Sequence, residues 1–336
     1  MLRALREMKP RVVILIVAAG ALLANMGLGI AMGLGDSMEG DAYYYYQLAD
    51  SLSEDSGYII RDGFWPEDPS MRRMPGWPIV TSLAFRVLPF VPDAAVMRGL
   101  SLLLNAAVAV LLAILTLRLF RNGLAALVAG AVYTVHPSGL LAAQEGLSEP
   151  AFLILAVGGM LLLLHGLPAF LRDSTSRRSR QEWVLSLLGF LLLGASCLVR
   201  ANFLLWLFFF GVPAGLIFLR RPSRPLFLVL AFGAILFVLL PFAWAARNYR
   251  ICEHFPVFSA LRGQTFYGGN NEVVVHDKTW GGDWVFPNQI PGETPMVELA
   301  RTMSEYEVDV YYHDKGKAYV AAHKAEMPKL LLGKLT

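Results

Sequence analysis

Seven stretches of this chain are apolar for long enough to cross a bilayer, at residues 12–34, 97–119, 124–142, 150–170, 183–199, 203–219 and 226–246. The hydrocarbon core is about 30 Å thick, and roughly 20 apolar residues in an α-helix span it. Of the 336 residues, 56% are hydrophobic and only 16% are charged. Soluble domains carry about a quarter charged residues. The expectation is an all-α polytopic membrane protein. The first run follows Arg3, Arg6, Lys9 and Arg11, as a signal peptide would. It is too long for one and is closed by no small-x-small site, so it reads as an uncleaved first helix.

Lys and Arg near helix ends are retained on the cytoplasmic side. With the N-terminus inside, the inside loops hold Arg118 and Arg121, then Arg172, Arg177, Arg178 and Arg180, then Arg220, Arg221 and Arg224. The outside loop 143–149 holds no Lys or Arg, and the next outside turn has only Arg200. This alternation places the N-terminus in the cytoplasm and two long segments outside. The first exterior loop, 35–96, belongs to a membrane module over 1–246. Within it, 43–52 reads as a short amphipathic helix, and 78–90 is apolar but too short to cross, which suits an interfacial or re-entrant helix. The second, an extracytoplasmic segment over 247–336, has a Gly-rich turn at 267–271, an aromatic loop at 280–287 and helical patterns at 296–314 and 315–332. The chain stops inside a helical pattern, so further chain is expected beyond Thr336.

Charged side chains gather where the exterior loops meet the spans. Asp36, Glu39 and Asp41 directly follow the first span and precede four consecutive tyrosines. Acids at such a place cap a helix, or one of them serves as a general base within reach of an acceptor proton. The tyrosines suit the headgroup layer or flank a sugar. In RRMPGWP (72–78), Arg73 is either a headgroup anchor or a partner for a lipid-linked phosphate, whose oxygens match a guanidinium fork. In QEGLSEP (144–150), Glu145 and Glu149 cap the next helix, with Ser148 as N-cap and Pro150 in its first turn, or supply a second carboxylate near Asp41. Arg200, and Arg247 in WAARN (244–248), snorkel at the boundary or join Arg73 around an anionic phosphate.

Other chemistries leave no mark. There is no P-loop, no G-x-G-x-x-G after a strand, no H-E-x-x-H and no Cys/His cluster. His276-Asp277 and His313-Asp314 read as solvated pairs. Cys197 lies in an apolar run and Cys252 outside one, which argues against a disulfide. No dense basic block with interleaved aromatics points to nucleic acid.

Taken in order, EGD (39–41), RMPGWP (73–78), HP (136–137), SEP (148–150), LVR (198–200), WAARN (244–248) and FPVFS with G-x-x-F-Y-G-G-N (255–270) form a series of landmarks over nearly the whole chain. The series resembles the membrane glycosyltransferases of the GT-C fold, in the branch with protein O-mannosyltransferases and the lipid A aminoarabinose transferase. The resemblance implies a GT-C-like transmembrane helix bundle with a long first extracytoplasmic loop, in a bacterial inner membrane. It also implies an inverting glycosyltransferase that moves a sugar from a polyprenyl-phosphate donor to a lipid, protein or glycan acceptor at the extracytoplasmic face. Asp41 would be the base with Glu39 as its partner. The family often has Asp-Glu here, whereas Ala42 follows Asp41, so Glu39 or Glu149 would supply the second acid, with Glu145 nearby. Arg73, Arg200 and Arg247 would bind the donor phosphate. Tyr44, Trp77, Asn248, Tyr267 and Asn270 would contact sugar or lipid. No cofactor is required on this reading, and a divalent cation held by Glu39, Asp41 and Glu149 is its variant. The rival is a lipid-linked sugar flippase or transporter, which needs ionisable residues within the spans. The spans here are almost free of them.

Overall fold

A computed structural model of the chain describes residues 8–35, 37–65, 68–171, 179–201, 208, 211–254, 259–276 and 283–334. Among the described residues no strand forms; Ile59 and Pro69 make an isolated antiparallel bridge. The protein is all-helical. In chain order the helices are α1 (Pro10–Met32), α2 (Gly40–Ser53), α3 (Gly76–Val87), α4 (Asp93–Phe120), α5 (Gly123–Thr134), α6 (Pro137–Glu145), α7 (Glu149–Gly166) and α8 (Arg180–Cys197). They continue as α9 (Val212–Arg220), α10 (Arg224–Cys252), α11 (Arg262–Gly268), α12 (Glu272–His276), α13 (Met296–Leu299), α14 (Glu305–Ala322) and α15 (Met327–Gly333).

Among the described residues four helices are long and apolar enough to cross a membrane: α1, α4, α7 with its 3-10 extension to Leu171, and α10. They become five if α5 and α6, bent by 50° at their junction, count as one. Sequence periodicity expects seven, and three places account for the difference. The straight span expected at 124–142 breaks before Pro137, because proline lacks an N–H and disfavours helix at the residue before it. The His136 ring accepts the Gly139 N–H at 3.3 Å and starts α6 afresh. The span expected at 183–199 is α8, whose first turn carries Arg180, Gln181 and Glu182 and so shortens its apolar stretch. In the span expected at 203–219, residues 203–207, 209 and 210 lie outside the described residues, and α9 is the helix described there.

The chain forms two compact units, one of Met1–Asp55 with Met74–Trp244, the other of Ser56–Arg73 with Ala245–Thr336. Residues 56–73, which the sequence groups with the first loop, therefore fold with the C-terminal part.

In the first unit α1 packs on α4 and α5 through small residues: Val13, Val17 and Ala21 meet Ala106, Ala109, Ala113 and Ala126. Lipid gives no hydrophobic drive between helices, so close approach and interhelical hydrogen bonds hold them. Buried Asn25 accepts from the Asn105 amide at 2.9 Å, and the Tyr133 hydroxyl donates to Asn105 at 2.8 Å, tying three helices together. The α7–α8 pair closes on Gly159 and Gly189, where a Cβ on either would stand 3.0 Å from the other's carbonyl oxygen.

The second unit surrounds Trp65, Tyr267, Val274, Val285 and Tyr312. Its polar core explains why 56–73 belongs there. Glu305 accepts from the Ser70 hydroxyl at 2.9 Å and the Met71 N–H at 2.6 Å, and the Trp65 indole donates to the Met303 carbonyl at 2.9 Å. Arg72 and Asp62, both buried, form an ion pair at 2.8 Å.

Candidate functional site

Three of the carboxylates singled out by the sequence come together in the first unit. Glu39, Asp41 and Glu145 line a cavity of about 590 Å³ with Ser37, Gly40, Ala42, Arg98 and Leu147. All three acids are exposed. The local sequence explains their placement. Gly40 has φ of +55°, a left-handed conformation that lets the chain turn sharply between Glu39 and Asp41 as α2 begins. Glu39 occupies the N-cap position of α2 but makes no capping hydrogen bond with its side chain. Asp41 lies in the first turn of that helix, where the helix dipole favours negative charge.

On the opposite wall α6 ends at Glu145, and Gly146, with φ of +80°, forms its left-handed cap. The Trp77 indole donates to the Gly146 carbonyl at 2.9 Å and the Ser101 hydroxyl to that of Leu147 at 3.2 Å, so the loop carrying Glu145 is pinned on both sides. The Gln144 amide donates to the Gly33 carbonyl at 2.6 Å.

Arg98 is the cavity residue that sequence reasoning misses. It is buried in the early turns of α4, and its guanidinium donates to the carbonyls of Leu34 and Ser37, each at 3.1 Å. It therefore fixes the segment between α1 and α2 that delivers Glu39 and Asp41. In the sequence it is one arginine among several mixed with acids. The signal that could have found it is an arginine near the start of a long apolar helix, where a charge is costly unless held.

Glu149 does not join the cavity wall. It starts α7 and pairs with Arg200, each side chain about one-third exposed, with relative areas of 37% and 36%. Ser148 precedes α7 as expected but does not cap it; its hydroxyl donates to that of Tyr45 at 3.2 Å. Among the described residues no three His, Cys, Asp or Glu side chains gather as a metal cage.

The aromatic candidates of this unit differ in burial. Trp77 is fully buried among Met38, Ala42, Tyr45 and Phe85. Tyr44 is half-buried on α2, its ring edge-on to Tyr43 with centroids 5.7 Å apart.

Arg73, Arg247, Asn248, Tyr267 and Asn270 belong to the second unit. The Arg247 guanidinium donates to the Ser70 carbonyl at 2.7 Å and to Asn248 at 3.0 Å, and sits 5.4 Å from the centre of the Tyr58 ring. Arg73 is half-buried, and its carbonyl accepts the Tyr58 hydroxyl at 3.1 Å. Buried Tyr267 donates to Glu293 at 2.8 Å, and the Asn270 amide to the Phe266 carbonyl at 2.8 Å. His313 lies 5.4 Å from the Phe266 ring, and His276 is 3.4 Å from Glu326. Asp36, Asp277 and residues 280–282 of the aromatic loop lie outside the described residues.

Fold and site together define an all-helical protein with several helices able to cross a membrane and an acid-lined cavity at helix ends. No family model, curated protein or solved structure matches the chain.

Proposed function

We propose that the protein is an inverting glycosyltransferase of the GT-C type, taking a sugar from a polyprenyl-phosphate donor at the extracytoplasmic face of a membrane. The observation that carries this reading is the cavity bounded by Glu39, Asp41 and Glu145. Its electrostatics favour one end of the reaction. Three carboxylates face one guanidinium, and that guanidinium is engaged by two backbone carbonyls. Such a wall repels a phosphate and suits the acceptor, whose hydroxyl or amine must lose a proton.

Asp41 removes that proton as the acceptor oxygen or nitrogen bonds to the anomeric carbon. The bond from that carbon to the phosphate oxygen breaks on the opposite face, with inversion. The leaving lipid phosphate carries the developing charge, and fixed cationic groups in a water-poor cleft stabilise it strongly. Arg200 is the first-unit arginine assigned to that task, reached when its contact with Glu149 opens. This reading puts the N-terminus in the cytoplasm, on the side of the arginine-rich loops.

The test reconstitutes the full chain in lipid nanodiscs with radiolabelled mannose, glucose or aminoarabinose on undecaprenyl phosphate. Release of sugar from one of these donors, to an added acceptor or to water, is the expected result. Movement of intact donor across vesicle bilayers with no sugar released from any of them would overturn the reading in favour of a transporter.

A further inference from the structure

Helix packing in the first unit sorts the helix ends by charge. Asn25 meets Asn105 and Gly29 faces Leu102, so α1 and α4 run antiparallel. Gly166 faces Ser186 and Gly159 faces Leu193, so α7 and α8 do the same. Gly194 lies against Phe237 and Gly233 against Phe190, which makes α8 and α10 parallel. The starts of α4 and α7 share one cluster through Val96, Met97 and Ala151. The acids of the cavity and Glu149 therefore stand at one end of the bundle. The starts of α1, α8 and α10 and the end of α4 stand at the other.

At that second end one corner gathers four pieces of chain. Phe170 from the extension of α7 is buried with Leu226 and Val229 of α10, and Trp183 of α8 and Phe218 of α9 pack on them. The Trp183 ring meets Phe170 edge-on, with centroids 4.8 Å apart. Arg180 lies one helical turn before Trp183, Arg220 just past Phe218 and Arg224 just before Leu226, so the cluster brings the three together. All three are exposed, and among the described residues none of them forms an ion pair. Glu182, in the first turn of α8, is turned back to the Ser179 N–H at 2.7 Å as part of the helix cap. Trp183 also marks depth, because indoles favour the headgroup layer of a bilayer. Beside it Val184 and Phe227, 51% and 54% exposed, offer apolar surface to acyl chains.

We propose that Arg180, Arg220 and Arg224 form a binding site for an anionic phospholipid, its headgroup phosphate among the guanidiniums and its acyl chains over Val184 and Phe227. Guanidinium forks match phosphate oxygens, and a basic pocket between membrane helices attracts anionic headgroups. A zwitterionic headgroup carries an ammonium that the same guanidiniums repel. Loop arginines orient a chain wherever in the loop they lie, whereas here packing around Phe170 and Trp183 collects them at one place.

The test titrates the full chain in detergent micelles with palmitoyl-oleoyl phosphatidylglycerol or the matching phosphatidylcholine, and reads bound lipid by native mass spectrometry. Phosphatidylglycerol should bind several-fold more tightly, and that preference should vanish in the variant Arg180→Gln, Arg220→Gln, Arg224→Gln. The variant Lys9→Gln, Arg11→Gln, Arg118→Gln removes the same charge where α1 meets α4 and should keep the preference. Arg224→Gln alone, which should lose part of it, replaces the first variant if that one does not fold. No preference in the wild type, or a preference retained without these arginines, would overturn the proposal. Equal loss in both triple variants would mean diffuse attraction to charge and would overturn it as well. Displacement of the lipid by inorganic phosphate would mean a simple anion site, with the same consequence.

Discussion

In the first unit Glu39, Asp41 and Glu145 stand exposed at helix ends around an open cavity. In the second, Glu305 and Asp309 lie buried along one helix, and the Glu293 carboxyl is buried between α11 and α14. The buried acids are engaged by the fold. Glu305 holds Ser70 and Met71, and Asp309 accepts the Gly263 N–H at 2.6 Å. Glu293 accepts from Tyr267, Tyr311 and Lys315. Burial sets their ionisation. It pushes Glu305 up to about 7, despite the Met71 N–H, Arg72 and Ser70, and raises Asp309 above the usual carboxylate range. Burial raises Glu293 as well, but its bonds to Lys315, Tyr267 and Tyr311 outweigh that and hold it low. The cavity acids instead border space that a substrate can enter, and for that reason the proposed reaction is assigned to them.

Neutralising the cavity is the strongest way to break this contrast. The triple variant Glu39→Gln, Asp41→Asn, Glu145→Gln should lower sugar transfer by about 10⁴-fold, the upper end for general-base catalysis, while circular dichroism in nanodiscs stays that of the wild type. The next effect contrasts two ion pairs. Arg72→Met should cost the second unit about 3–5 kcal/mol by leaving Asp62 buried and unpaired, read as faster hydrogen exchange in α11 and α14. Glu149→Gln, at the pair with Arg200 that is about one-third exposed, should cost under about 1 kcal/mol by thermal unfolding.

Between these lies a pH effect. The folded state binds the Glu305 proton more tightly than the unfolded chain, so that stabilisation is complete below about 4.5 and is lost as pH rises through about 7. It amounts to about 3 kcal/mol across the window. Glu293 has the opposite sign: its contribution is present above the usual carboxylate range and fades as pH falls. The protection factors of α14, with the intrinsic pH dependence of amide exchange divided out, should lose their slope between pH 5 and about 8 in Glu305→Gln, and a retained slope would assign the titration to another group.

The parts of this arrangement differ in how far the sequence displays them. Long apolar runs are read from length and hydropathy, so α1, α4, α7 and α10 stand out along the chain. Glu39, Asp41 and Glu145 are visible because a polar cluster at the end of such a run is conspicuous. Arg98 is not, because its carbonyl partners lie 61 and 64 residues away. Membership of 56–73 in the second unit depends on contacts such as Ser70 with Glu305, 235 residues apart, which no local pattern encodes. Trp77 and Tyr267 sit in motif-like surroundings that suggest ligand contact. Their hydrogen-bond partners, Gly146 and Glu293, lie 69 and 26 residues away, and no local motif shows those bonds.

The contrast between the units is tested most directly by measuring sugar release from the undecaprenyl-phosphate donor and thermal unfolding on one nanodisc preparation of Asp41→Asn. The predicted result is a loss of about 10²–10⁴-fold in rate with an unfolding transition that matches the wild type. Transfer at the wild-type rate, or a rate lost only together with the fold, would contradict it.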